Sequence, residues 1–450
     1  MNLNNIHNVY FIGIGGIGMS ALARYFSSNK KNVAGYDKTP SPITDELVRM
    51  GMSIHFEDNL ALISKDFFEK ESTLVVYTPA IPKGHSELQY FLDNGFHVYK
   101  RAEVLGKITE NTFCLAVAGT HGKTTTSSIL GHIMQPVNAT AFLGGISENY
   151  NSNLILGKDE ISVVEADEYD RSFLQLSPNI ACVTSMDADH LDIYGAHDSL
   201  VASFQEFSNK VTDKLVVAKG LNLEGITYAI DKEADYRACN LRVGDGTYLF
   251  DVVTPNGQIN DIEFGLPGRH NIMNALAALA MAHLYGVSLG IIKKQLKTFA
   301  GVQRRFSYKL KQEGLVLIDD YAHHPTEIKV VHSAVREMYP NQKVLAVFQP
   351  HLFSRTRDFI DEFAAELSKF DEVVLLDIYP ARELPIEGVT SKWLLEKIDN
   401  QYKYVLSKQE MKDFVANSDA TIVLMLGAGD IGLLLNEVKE ELLNRVKSDE

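Results

Sequence analysis

The sequence predicts an α/β protein of three domains built on largely parallel sheets, and three observations carry that prediction. Short apolar runs alternate with helix-period stretches from end to end, the pattern of parallel strands with helices packed on both faces. Two of those runs lead directly into a glycine-rich turn and then a helix. The length, 450 residues, exceeds what one hydrophobic core usually supports.

Taken in order, the apolar runs place strands near 8–14, 32–37, 73–78, 113–118, 161–166, 180–185, 315–319, 343–348, 372–377 and 421–426. The strand-then-glycine unit restarts near residue 107, and a third set of strands starts near residue 306. These restarts set the expected domains at 1–107, 108–306 and 307–450. An acidic, basic-interleaved tail after Leu433 reads as one amphipathic terminal helix.

Composition removes several function classes. The apolar fraction of 45% and charged fraction of 22% are those of a globular protein, and no apolar run reaches the roughly 20 residues that cross a bilayer. A membrane partner is therefore not expected. Met1 to Asn8 lack the basic-then-apolar layout of a secretory signal, so a cytoplasmic location is expected. Cys114, Cys182 and Cys239 form no CxxC pair and read as reduced structural thiols. A formal net charge of −15 opposes nucleic acid at long range and leaves anionic small molecules dependent on local sites.

The first glycine turn, Gly13-Ile-Gly15-Gly16-Ile-Gly18-Met19-Ser20, follows a strand and opens a helix, with Asp37 closing the next strand. That is the dinucleotide fingerprint: glycines let backbone N–H groups approach a diphosphate at a helix N-terminus, and the carboxylate can accept from a ribose hydroxyl. The pattern selects a diphosphate without specifying what carries it. A third match, Gly427-Ala-Gly429-Asp-Ile-Gly432, has only a helix's length of chain after it and reads as a packing turn.

The second turn, Gly119-Thr120-His121-Gly122-Lys123-Thr124-Thr125, is a phosphate-binding loop in a shortened form, because Val117 stands where the common pattern has its first glycine. Lys123 is placed to reach β- and γ-phosphates and Thr124 to put its hydroxyl on Mg²⁺. Acidic segments follow at Glu165-Ala-Asp167-Glu168-Tyr-Asp170 and Asp187-Ala-Asp189-His190-Leu-Asp192, and Glu165 and His190 are the candidate Mg²⁺ ligands. Towards the C-terminus, Asp319-Asp320-Tyr321-Ala-His323-His324-Pro325 and Gln349-Pro-His351-Leu352-Phe-Ser354-Arg355-Thr-Arg357 bring carboxylates, histidines and arginines to two strand ends. The histidines have no zinc-site spacing, and the residue types suit anionic substrates.

In these segments, together with Pro267-Gly268-Arg269-His270-Asn271 and Arg304-Arg305-Phe306, the chain resembles the Mur ligase family over essentially its whole length. The resemblance implies a Rossmann-like N-terminal domain that binds a UDP substrate (1–107), a P-loop-type central ATPase domain (108–306), and a Rossmann-like C-terminal domain that binds an amino acid (307–450). It implies an ATP- and Mg²⁺-dependent amide ligation joining L-alanine to the carboxylate of UDP-N-acetylmuramate through an acyl phosphate, in peptidoglycan precursor synthesis. The enzyme is expected to act as a monomer or weak homodimer.

By the same resemblance, Gly13, Gly15, Gly16, Gly18, Met19 and Asp37 serve the UDP diphosphate and its ribose. Gly119 to Thr125 hold ATP, His270, Asn271 and Asn274 lie near adenine, and Arg305 and Asp320 reach the nucleotide. Thr124, Glu165 and His190 hold Mg²⁺. Tyr321, His323, His351 and Arg355 serve the amino-acid substrate, with His323 expected to orient or deprotonate the attacking amine. Leu352, where many relatives have a basic residue, and Tyr379-Pro-Ala-Arg382-Glu383 depart from the family pattern. A relative that ligates a tripeptide to the same sugar nucleotide is the nearest alternative, and a nucleotide-binding regulator without ligase activity is the alternative of another class.

Overall fold

The computed structural model describes residues 3–82, 84–187, 197–244, 247–381 and 383–449. Three sheets organise the chain. The first has five parallel strands in the spatial order Ser53–His55, Asn32–Tyr36, Asn8–Ile12, Thr73–Tyr77, His97–Lys100. The order reverses at Asn8–Ile12, which opens a crevice beyond the carboxyl ends of that strand and Thr73–Tyr77. The first glycine turn follows the first of those two strands.

The second sheet has ten strands, with Phe113–Ala118 near its middle between Ile180–Val183 and Lys158–Glu165, parallel to both. Leu115 to Ala118 are fully buried, as a central parallel strand covered on both faces requires. The third sheet has six strands, with Leu315–Asp320 and Val344–Phe348 flanking Ile422–Leu426 in parallel.

Within the largely parallel expectation, some edges of the described sheets are antiparallel. Ala139–Ser147 pairs antiparallel with Ser152–Ile155, and Ser307–Gln312 pairs antiparallel with Leu315–Asp320. The connections explain it: two residues, Glu313 and Gly314, can close a hairpin but cannot span a parallel crossover, and Gly314 takes the positive φ of +75° that the turn needs. The tail forms the expected helix, Leu435–Asp449.

The chain packs as two compact units, one of residues 1–241, 249–264 and 273–300, the other of 242–248, 265–272 and 301–450. The first unit contains two sheets because their helices share one core. Phe26, Leu47 and Val76 of the first sheet's layer cluster with Cys114, Phe142, Val164 and Phe204 of the second. Buried Asn153 reinforces the join by donating from Nδ2 to the Ile17 carbonyl at 2.6 Å and the Ser20 hydroxyl at 2.8 Å. Cys114 and Cys182 are buried thiols, and Cys239 is half-buried and also unbridged. No helix among the described residues is long and apolar enough to cross a membrane.

Candidate active site

The first glycine turn is shaped by what lies behind each glycine. Gly13 has φ +91°, and a Cβ there would meet Thr78 Cγ2 at 2.6 Å. Gly15 donates its N–H to Asp37 Oδ2 at 2.7 Å, and a Cβ on Gly15 would sit 2.9 Å from the same oxygen. Asp37 therefore fixes the turn with one oxygen whatever else it does. Gly16 precedes the helix Ile17–Ser28, and a Cβ on Gly18 would lie 2.8 Å from the Arg101 guanidinium. Met19 is buried in the shared core.

The second turn joins Phe113–Ala118 to the helix Lys123–Met134 through Gly119 at φ +133° and Gly122 at φ +80°. A Cβ would meet Thr184 Oγ1 at 2.1 Å from Gly119 and Asn274 Oδ1 at 2.6 Å from Gly122, so side chains already press on both glycines. The loop's polar groups are held by the segment after Ile180–Val183. The His121 N–H donates to Ser185 Oγ at 2.8 Å, Thr120 Oγ1 and Ser185 Oγ lie 2.9 Å apart, and the Asp187 N–H donates to Thr120 Oγ1 at 3.1 Å. The backbone amides after Gly122 remain at the helix start, the geometry that receives anions. Thr125 is buried in the first helical turn.

Lys123 is clamped. Its Nζ donates to the Gly119 carbonyl at 2.7 Å and the Thr120 carbonyl at 3.3 Å, and lies 2.8 Å from Glu168 Oε2, on a carboxylate with no exposed side-chain surface. Thr124 Oγ1 donates to Glu165 Oε1 at 3.1 Å, with Ser127 Oγ 3.5 Å from Oε2. A Cβ on Gly144 would fall 2.1 Å from Glu165 Oε2, so glycine at 144 makes the cradle in which that carboxylate lies. Hydroxyl and carboxylate oxygens gathered at the phosphate loop are the donor set Mg²⁺ takes, and the residues present fit it. His190 lies outside the described residues, as do Asp189 and Asp192. Among the described residues no three His, Cys, Asp or Glu side chains form a metal cluster.

In the second unit, Asp320 is buried and accepts from the Phe306 N–H at 2.6 Å and the Ala322 N–H at 2.8 Å. Burial pushes its carboxyl up to about 6, against the pull of the Arg305 charge. The Arg304 and Arg305 guanidinium carbons lie 4.8 and 5.6 Å from the centre of the Tyr321 ring. His323 Nδ1 is 2.9 Å from the Tyr321 carbonyl, and the backbone N–H of His323 donates to Glu327 Oε2 at 2.8 Å. The His323 ring is 5.9 Å from that of His351, which stacks on Tyr379 at 5.6 Å. Arg355 Nη1 reaches His351 Nδ1 at 3.4 Å.

Burial is the main cause that lowers both histidines, His351 to about 4, so both rings are neutral near pH 7. The group thus offers a fixed guanidinium beside two neutral imidazoles, which can hold a carboxylate and receive a proton. Leu352 has φ +73°, rare for a branched residue, with its N–H on the Tyr379 carbonyl at 3.0 Å. Arg382 lies outside the described residues. In the same unit Asn271 Nδ2 donates to the Pro267 carbonyl at 2.7 Å, and His270 is exposed in the first turn of the helix Arg269–Tyr285. The third glycine turn is filled by side chains: Arg304 lies 2.9 Å from a Cβ on Gly432, and Gln349 and Tyr379 press on Gly429.

Family models match in sequence order and without overlap: Mur ligase family, catalytic domain over residues 8–112, Mur ligase middle domain over 117–282, and Mur ligase, glutamate ligase domain over 304–429. A UDP-N-acetylmuramate--L-alanine ligase of Flavobacterium psychrophilum is 62% identical over 98% of this chain and 99% of its own. This chain belongs to the Mur ligase family. A second relative of that name, from Cytophaga hutchinsonii, is 48% identical over 98% of this Mur ligase and 97% of its own length. The solved UDP-N-acetylmuramate-alanine ligase of Thermotoga maritima superimposes with a TM-score of 0.83 at 27% identity, covering 98% of this chain and all of that one. A murein peptide ligase from Psychrobacter arcticus shares the fold, with a TM-score of 0.66 at 22% identity over 97% of this chain and 98% of its own.

The Mur ligase fold adds residues that motif reading passed over. Glu168, Ser185 and Gly144 complete the phosphate loop, Arg101 backs the first glycine turn, and Tyr379 and Glu383 support His351 and Ser354. Glu168 stood in plain view in the acidic run, but nothing local separates it from Asp167. Gly144 and Arg101 carry no motif signal at all.

Proposed function

We propose that this chain ligates L-alanine to UDP-N-acetylmuramate at the expense of ATP, giving UDP-N-acetylmuramoyl-L-alanine, ADP and phosphate. The observation that carries the reaction type is the second glycine turn, where Lys123, Thr124 and Glu165 set a cation, a hydroxyl and a carboxylate at one helix start. The relatives' names carry the choice of substrates.

A carboxylate and an amine do not condense unaided in water, so the acid needs a leaving group. A muramyl carboxylate oxygen attacks the γ-phosphorus and the bond to the ADP oxygen breaks, leaving an acyl phosphate. The alanine amine then attacks the acyl carbon, loses a proton, and phosphate departs. Phosphoryl transfer depends chiefly on position and charge compensation. Lys123 supplies charge once phosphate oxygens replace its loop carbonyls, and the amides after Gly122 hold the remaining oxygens. Mg²⁺ held by Thr124, Glu165 and His190 would further offset charge on those oxygens.

We assign Arg305 to the nucleotide as a second cation, with Asp320 holding the backbone just after Arg305 and just after Tyr321 by accepting from the Phe306 and Ala322 N–H groups. His270, Asn271 and Asn274 are assigned to the adenine. Arg355 is assigned to the alanine carboxylate, and neutral His323 to the proton leaving the amine. Segments 1–107, 108–306 and 307–450 are assigned to the UDP-sugar, ATP and amino acid. The reaction belongs in the cytoplasm, where both nucleotides are available.

One assay tests the reading. ADP release is measured with UDP-N-acetylmuramate and either L-alanine or the L-alanyl-γ-D-glutamyl-diaminopimelate tripeptide as acceptor. Release that needs both the sugar nucleotide and L-alanine supports the proposal, preference for the tripeptide replaces it with the recycling ligase, and turnover indifferent to both acceptors removes ligation altogether.

A further inference from the structure

We propose that Arg101 is the cation of the first glycine turn, gripping the diphosphate of the sugar nucleotide in exchange for Asp167. The inference rests on the reading above that this turn holds UDP. Residues 13–20 contain no basic side chain, whereas the second turn carries Lys123, and a net charge of −15 gives a dianionic ligand no general attraction.

Arg101 fills that gap in space. Its Cδ and Nη1 lie 2.8 Å from where a Cβ on Gly18 would be, so the guanidinium rests against the first turn of Ile17–Ser28, at the rim of the amides that face the diphosphate. In dinucleotide-binding turns the third glycine usually permits close packing of helix on strand. Here it makes room for an arginine.

The placement is electrostatically costly without an anion. Arg101 is the first residue of its own helix, Arg101–Thr109, and lies beside the start of Ile17–Ser28, so two helix dipoles present their positive ends to it. Its ion partner among the described residues is loose: Nη2 stands 3.8 Å from Asp167 Oδ2, and the two side chains retain 24% and 40% of their exposure. A diphosphate accepts a guanidinium with two parallel hydrogen bonds at shorter range, which is the geometry arginine offers and lysine lacks.

The test is calorimetric binding of UDP to the full chain without ATP or alanine, with uridine followed by ligand-observed NMR. Arg101→Ala is expected to weaken UDP about ten- to a hundredfold while leaving uridine within about twofold. It should also flatten the salt dependence of UDP binding. Arg101→Lys should recover only part of the loss, and Asp167→Asn, which removes the competitor, should bind UDP at least as tightly as the parent. In turnover, KM for UDP-N-acetylmuramate should rise with kcat nearly kept. UDP binding to Arg101→Ala equal to the parent's overturns the proposal, as does an equal loss for uridine and UDP, which would mark Arg101 as a structural prop. A parent chain that binds no UDP at all sinks the reading of the turn itself and this proposal with it.

Discussion

The two glycine turns of the first unit solve the same backbone problem and differ in what surrounds it. Each follows a central parallel strand and opens a helix, and each has side chains pressed against its glycines. In the first, the partner of the loop is a carboxylate: Asp37 accepts from Gly15, and the guanidinium of Arg101 stands at the rim. In the second, the partner is an ammonium: Lys123 is fastened to two loop carbonyls and to buried Glu168, with Thr124 on Glu165 beside it. A turn that holds a diphosphate needs amides, a brace and a cation within reach. A turn that has to move a phosphoryl group also needs oxygen ligands for a divalent ion.

The sharpest way to break that contrast is Lys123→Ala. Its kcat should fall about a thousandfold or more, while calorimetric UDP binding stays within about twofold; a parallel loss of both would show that the turns do not have separate tasks. Next comes Gly144→Ala, whose methyl would collide with Glu165 Oε2. ADP release should drop about a hundredfold at ordinary Mg²⁺ and recover in part as Mg²⁺ is raised, and a loss independent of Mg²⁺ would detach Glu165 from the ion.

Gly15→Ala presses on Asp37 and should raise KM for the sugar nucleotide about tenfold, roughly 1.4 kcal/mol, with kcat at saturation little changed. If kcat falls instead and KM holds, the first turn takes part in chemistry. The finest distinction concerns protons. Because burial lowers the His323 pKa, its ring stays neutral down to a pH below the ordinary histidine value near 6.5, and amine deprotonation is lost only as pH falls through that lowered pKa. The acid limb of alanine-dependent turnover should therefore lie below about pH 6.5, survive His121→Gln in the second turn, and disappear in His323→Gln. An acid limb removed by the His121 variant would put proton chemistry in the phosphate loop.

Both turns were legible because each is local: strand, glycines and helix start fall within about a dozen consecutive residues, and the buried strands before them are unbroken apolar runs. Strands with polar residues among the apolar ones were less legible. Tyr236–Gly244 is buried at only two of nine positions, and Gly257–Phe264 also at two of eight, so neither presents an apolar run. The restart near 107 lies close to where one family model ends, at 112, and the next begins, at 117; that the two sheets on either side share one core was not legible, because amphipathic pattern reports that a helix face is buried and not which sheet buries it.

The sequence by itself determined the α/β class, the two strand-glycine-helix turns and the place of Lys123 and Thr124 at the start of the second helix, since short-range sterics and hydrogen bonding settle a strand-turn-helix unit. Only the tertiary structure decided that Glu168 and not its neighbour Asp167 takes the lysine, that Gly144 shelters Glu165, and that Arg101 lies on Gly18. Those pairings join residues from 21 to 83 positions apart, and at such separations the partner is chosen by which strands lie side by side, a choice made by burial of the whole core.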